Sequence, residues 1–255
     1  MRPPAHRAGR PRFKPRARRL LALLLVGPAA YAGPPYSTDD PEPVDYRHYE
    51  AYLFGSGSRD RGGSSGAAGV DFSYGARPDL HVNIVLPLAY ERPQGAARSS
   101  GPGNIELAAK FRLARQQRCG WDLSLFPRWI IASATRAVGD QHHSFLLPVW
   151  VQKDWGPWST FGGGGGALNH GDGGRDYTYF GWAITRQLLP SLQLGTEVFH
   201  RSATAPDALP TTSVNIGLRY DVSEHLQLLG ASGPGIRNAA QAGAHSWYVA
   251  LLFTR

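Results

Sequence analysis

A single cysteine, Cys119, stands among the 255 residues, so no intrachain disulfide can form. Long apolar runs are missing as well. The densest, residues 20–26, falls far short of the ~20 residues that a spanning helix needs, and nothing after it comes closer. Any crossing of a bilayer must then be made by β-strands, the only other way to satisfy the backbone in lipid. Acidic residues are absent from the first 32 positions, which hold eight of the 27 Lys and Arg. The remainder carries 19 basic against 19 acidic residues, a formal charge of zero. The basic character therefore belongs to the start of the chain, and a nucleic-acid partner loses its support.

That start has a recognisable order. A basic stretch (Arg2 to Arg19) precedes the apolar residues 20–26, and Ala30-Tyr31-Ala32 follows. This is the pattern of a secretory signal, with cleavage expected after Ala32. Residues 1–32 are read as a signal peptide, 33–45 as a periplasmic N-terminal segment and 46–255 as a barrel.

Period-two alternation then recurs through the chain. Strands are expected near 46–54, 67–76, 80–91, 104–115, 121–134, 144–154, 158–168, 176–187, 192–201, 213–222, 226–232 and 246–253. In the clearest, Ile105, Leu107, Ala109, Phe111 and Leu113 point one way, and Asn104, Glu106, Ala108, Lys110 and Arg112 the other. Connections alternate between long segments, such as 55–66 and 92–103, and tight ones, such as Arg77-Pro78-Asp79 and Trp155-Gly156-Pro157. That rhythm belongs to barrels with short periplasmic turns and longer outer loops. The last strand places Trp247, Val249, Leu251 and Phe253 on one face, and aromatics gather near strand ends, at headgroup level. The fold class is all-β: a transmembrane antiparallel up-and-down β-barrel of about twelve strands, preceded by a cleaved signal peptide and located in the bacterial outer membrane.

Three stretches carry a family resemblance. They are Gly33-Pro34-Pro35-Tyr36-Ser37-Thr38-Asp39-Asp40-Pro41-Glu42-Pro43-Val44-Asp45-Tyr46-Arg47-His48-Tyr49-Glu50, Pro102-Gly103-Asn104-Ile105-Glu106-Leu107-Ala108-Ala109-Lys110-Phe111-Arg112, and Val149-Trp150-Val151-Gln152-Lys153-Asp154-Trp155-Gly156-Pro157-Trp158. With them the chain resembles a proteobacterial outer-membrane family labelled transporters, or proteins of the meta-pathway of phenol degradation. The resemblance implies uptake of hydrophobic or aromatic compounds, and it brings no catalytic residues. The chain departs from the family in its tail, where Thr254 and Arg255 follow the closing aromatic.

If the apolar faces meet lipid, the opposite faces put Glu50, Asn83, Glu106, Lys110, Arg112, Arg128, Gln152, Glu197, Arg219 and Asp221 in the lumen. Arg or Lys facing lipid at the midplane would cost ~2–4 kcal/mol. These side chains either pair to fill a narrow barrel or line a polar path. Neither His142-His143 beside Asp140 nor the pairs His143-Ser144 and Asn169-His170 form a convincing centre. Adjacent imidazoles on a loop are poorly arranged metal ligands, and neither pair supplies a serine with an oriented histidine. No catalytic residue, metal or cofactor is assigned. The glycines at 162–166 serve shape rather than phosphate binding.

The expectation is a monomeric channel or transporter, not an enzyme, whose partners are outer-membrane lipid and a small solute, without nucleic acid. A lipid-acting enzyme or a structural, partner-binding barrel are the alternatives.

Overall fold

Alternation is what closes this molecule on itself. In the computed structural model, residues 35–171, 173–242 and 244–255 are described; the expected signal peptide lies outside them. The described residues form fourteen strand segments: β1 (Tyr49–Asp60), β2 (Gly63–Arg77), β3 (Leu80–Pro93), β4 (Ser99–Pro102), β5 (Ile105–Ala114), β6 (Asp122–Leu125), β7 (Arg128–Ile131), β8 (Ser144–Trp155), β9 (Trp158–Leu168), β10 (Tyr177–Leu189), β11 (Leu192–Arg201), β12 (Thr211–Ser223), β13 (Leu226–Arg237) and β14 (His245–Thr254). Because β4 with β5, and β6 with β7, are pieces of single strands, the sheet has twelve strands. All pairings are antiparallel, and β14 pairs with β1 from Glu50↔Thr254 to Arg59↔His245. Closure gives every strand segment except the short β4, which pairs only with β3, a partner on each side.

Two of the twelve strands are broken for local reasons. Pro127 separates β6 from β7 and lacks the N–H that the ladder would use, although its carbonyl still accepts from the Ala109 N–H at 3.2 Å. Gly103 and Asn104 separate β4 from β5. The Asn104 side chain then accepts from the Ser133 and Ala134 N–H groups at 3.0 and 2.8 Å. That contact turns the chain at Ser133, so the strand expected to run to 134 ends at Ile131.

The expected long connection over 55–66 is not a loop. Its residues pair from Gly55↔Ala68 to Asp60↔Gly63, and only Arg61 and Gly62 lie between the strands. The glycine- and serine-rich composition suggested a flexible segment. Small side chains nevertheless fit a ladder when a neighbour is present on each side, here β2 and β14. Asp60 fixes the turn by accepting from the N–H groups of Gly62 and Gly63 at 2.7 and 3.1 Å.

The expected long connection over 92–103 is likewise mostly paired, since β3 runs to Pro93 and β4 begins at Ser99, which leaves only 94–98 between them. Elsewhere the ends differ as the rhythm predicts. Pro78-Asp79, Gly156-Pro157, Pro190-Ser191 and Glu224-His225 are two-residue turns at one end. The fifth connection there holds the single helical turn α1 (Gln116–Cys119). At the other end lie the longer 132–143, 169–176, 202–210 and 238–244, the last containing α2 (Ala239–Ala242). The barrel's first and last residues meet at the tight-turn end, where Tyr49 and Arg255 exchange backbone hydrogen bonds of 2.7 and 3.0 Å.

The two faces follow the pleat. Leu53, Val70, Phe72, Leu86, Leu107, Val149, Ile184, Ile216, Val249 and Leu251 are exposed on the outside, forming an apolar band. Trp121, Trp155, Trp247 and Phe253 are exposed near strand ends. Inside, the buried apolar residues form two patches, one around Phe126, Leu146, Trp150 and Tyr179 and one around Tyr52, Leu229 and Leu252. An inverted arrangement of this kind, with apolar outside and mixed inside, is stable only in lipid. The described residues contain no helix long and apolar enough to cross a membrane.

Candidate functional site in the barrel lumen

The lumen is shaped by a segment that precedes the first strand. Residues 36–45, read from sequence as periplasmic, thread into the barrel from its tight-turn end, and Thr38, Asp40 and Pro41 are buried there. Near the entry, the Val44 N–H donates to Nδ1 of His81 at 3.0 Å. Further in, the carboxylate of Glu197 accepts from the N–H groups of Ser37 and Thr38 at 3.2 and 2.7 Å. Tyr36 ends this run with its ring 6.0 Å from that of Phe161. The segment thus crosses the lumen from β3 to the β9–β11 wall. Its prolines, 41 and 43, keep it extended and remove two N–H groups that would otherwise need partners.

Charge holds it as well. Nζ of Lys110 on β5 lies 3.1 Å from Asp39 and 3.5 Å from Asp40, and Arg112 lies 3.9 Å from Glu42. Burial is the largest influence on two of these acids. It pushes Asp40 well above the ordinary carboxylate range while Lys110 pulls it down. It pushes Glu42 up to about 7, with Arg112 opposing and Asp154 and Asp122 adding to the rise.

Beside the segment lies a cavity of about 740 Å³. The ten residues expected in the lumen occupy it as follows. Glu50, Asn83, Glu106, Lys110, Arg112, Arg128 and Arg219 line this cavity. Glu106 and Arg128 form a two-pronged pair, with Nε to Oε1 at 2.7 Å and the second Arg nitrogen to Oε2 at 2.9 Å. Glu50 accepts from the Tyr52 hydroxyl at 2.8 Å. Asn83 donates to Asp71 and Ser73 at 2.5 and 2.9 Å. Gln152 and Glu197 are buried, and Asn215 also donates to Glu197, at 2.7 Å. Arg219 approaches Asp221 to 4.0 Å, and Asp221 is the more exposed of the two.

Several residues of this site escaped the sequence reading. Asp71 sits between the outward Val70 and Phe72, so its inward direction was already legible from alternation. Asp39, Asp40 and Glu42 were not, because a segment without strand periodicity gives no sign of where it packs. Aromatic rings are the other omission. Tyr52, Phe54, Phe126 and Tyr248 face the cavity between the charged pairs, and Lys110 and Arg128 lie 4.9 and 5.6 Å from the centre of the Phe126 ring.

The histidine and serine candidates lie near the longer loops. The Ser144 hydroxyl donates to Oδ1 of Asn169 at 2.7 Å, and Nε2 of His142 meets the same oxygen at 2.8 Å. The serine therefore gives its proton to an amide and not to an imidazole. Nδ1 of His143 accepts from the Ala132 N–H at 3.2 Å, and His170 lies 3.3 Å from Asp176. Gly62-Gly63-Ser64-Ser65-Gly66 has the letters of a serine-hydrolase elbow, but it opens the hairpin strand β2 and not a strand-to-helix turn.

No protein-family model matches the sequence, and no curated protein is similar to it in sequence. Solved structures do match the fold. The COG4313 outer membrane channel from Pseudomonas putida F1 superimposes with a TM-score of 0.69 at 14% identity, covering 85% of this chain and 98% of that one. The KdgM porin, solved with disordered oligogalacturonate, gives a TM-score of 0.52 at 8% identity, covering 81% and 96%. The closed ring of twelve antiparallel strands, its apolar exterior and these likenesses together make this chain a β-barrel of the outer-membrane kind.

Proposed function

We propose that this barrel is an outer-membrane channel for small solutes, narrowed by its own N-terminal segment. The single observation that carries the reading is the lumen itself. A cavity of about 740 Å³ remains beside residues 36–45, lined by carboxylates and cations in pairs and by aromatic rings. A barrel whose interior served only as filling would have no need of that space. The finer reading is that the solute is small and aromatic or hydrophobic. It is supported by the rings of Tyr52, Phe54 and Tyr248 at the cavity, and by the resemblance to proteins linked with phenol degradation. Polar pairs beside aromatic faces suit a ring that carries one polar group.

An enzymatic role is not proposed, because Ser144 and His142 converge on Asn169 instead of on one another. The test is reconstitution of the mature protein in planar bilayers and liposomes. Discrete conductance steps, with entry of small aromatic compounds into protein-containing liposomes, are expected. A silent bilayer together with uptake no faster than in empty liposomes would overturn the channel reading.

A further inference from the structure

The lumen contains a second acidic group that conduction leaves unused. Glu42 on the N-terminal segment meets Asp122 at the start of β6 and Asp154 near the end of β8, with one carboxylate oxygen from each lying within 4.8 Å of the others. Three negative charges at this separation repel unless something lies between them. Arg112 approaches only Glu42, at 3.9 Å, and Lys110 is engaged by Asp39 and Asp40. Asp122 is 3% exposed, and no donor or cation bonds its carboxylate among the described residues.

An independent observation points to a ligand. Gln152 is fully buried and is the register partner of Asp122 across β6 and β8. Its Nε2 donates to both oxygens of Asp154, at 3.2 and 3.1 Å, so its amide opens on the same pocket. Its Oε1 has no hydrogen-bond partner. A buried amide oxygen without a donor is costly, and the side chain that carries it is bonded to one of the three acids, so a cation held among them would offer that oxygen a partner once the amide turns.

The geometry points to a calcium site that fastens the N-terminal segment to the barrel wall. Calcium takes carboxylate and amide oxygens at about 2.3–2.6 Å in a flexible geometry, and oxygens that all lie within 4.8 Å of one another can reach one such ion. Magnesium, at about 2.0–2.1 Å, demands a rigid octahedron and keeps more of its water. The site lies beside the tight turn between β8 and β9. One ion joins Glu42, which belongs to no strand, to Asp122 and Asp154, which belong to two paired ones. Binding does not depend on the channel reading, since an ion can fasten the segment whether or not a solute passes.

The experiment is a calorimetric titration of the folded mature protein, freed of metal by chelator, with calcium chloride and separately with magnesium chloride. One calcium per barrel is expected, bound more tightly than magnesium. Glu42→Gln, Asp122→Asn and Asp154→Asn should each lower calcium affinity at least tenfold. Glu42→Gln leaves the wall intact, and unheated gel migration confirms that each barrel is folded. Calcium should also protect residues 36–45 of the wild type from added protease, and Glu42→Gln should remove that protection. No calcium uptake by the wild type overturns the proposal, and so does uptake that Glu42→Gln leaves unchanged. Calcium binding in a barrel that conducts nothing would keep the site and remove the channel.

Discussion

The carboxylate of Glu197, on the wall strand β11, accepts the backbone N–H of Thr38 at 2.7 Å, joining two residues 159 positions apart. Glu197 is 1% exposed, and its other bonds come from Ser37 and Asn215. A buried carboxylate with three donors is stabilised by charge-assisted bonds worth about 1.5–3 kcal/mol each. Much of the hold on the N-terminal segment therefore passes through one side chain.

Glu197→Ala should release that hold. The barrel's backbone ladder is untouched, so the variant should fold and migrate like wild type. Single-channel conductance should rise, or flicker between wild-type and larger levels. Wild-type conductance with a quiet trace would show that the segment is held by other contacts, such as Lys110 with Asp39 and Asp40.

Gly181 gives a second route to the same segment. A Cβ there would come within 2.0 Å of the Thr38 hydroxyl oxygen and 2.8 Å of the Phe199 ring. Gly181 faces inward on β10, so it has no side chain because the segment passes over it. Gly181→Ala should displace Thr38 and raise conductance as Glu197→Ala does. Protease cleavage within residues 36–45, checked by mass spectrometry, should become faster. A cleavage rate equal to wild type would refute the close approach.

Leu107→Arg and Glu106→Gln separate the two faces of one strand. Leu107 lies exposed on the outer face, where arginine near the midplane costs ~2–4 kcal/mol. Glu106 faces the lumen and pairs with Arg128, and glutamine keeps one acceptor oxygen for that guanidinium. Folding yield in lipid vesicles should fall sharply for the first variant and only slightly for the second. Equal yields would contradict the assigned faces.

Ion preference should follow the interior charges. Glu50, Glu106 and Glu197 share the lumen with Lys110, Arg128 and Arg219. Changing the three glutamates to glutamine removes three negative charges from a confined, partly dry space and leaves the cations. Reversal potential in a salt gradient should shift toward anions. A reversal potential identical to wild type, at unchanged conductance, would place the ion path away from these residues.

Much of the architecture was legible in the chain. The alternation of Ile105, Leu107, Ala109, Phe111 and Leu113 against Glu106, Lys110 and Arg112 has only one stable placement in lipid. Boundaries suffered where composition misled. The glycines and serines of 55–66 read as a loop and form a hairpin, since a strand's pairing depends on its neighbours as well as on its own residues. The break at Pro127 was visible as a proline, but its consequence depended on which carbonyls and N–H groups came opposite.

Sequence by itself determined the barrel and the direction of its side chains, because a period of two and the cost of charge in hydrocarbon act residue by residue. Only the tertiary structure decided what fills the interior. Thr38, Asp40 and Glu42 lie in a stretch with no periodicity, and their positions follow from partners far along the chain: Glu197, Lys110 and Arg112. Such contacts are set by the closure of the ring, which brings β3, β5 and β11 around one space. No local pattern encodes that meeting, because it exists only once β14 has paired with β1.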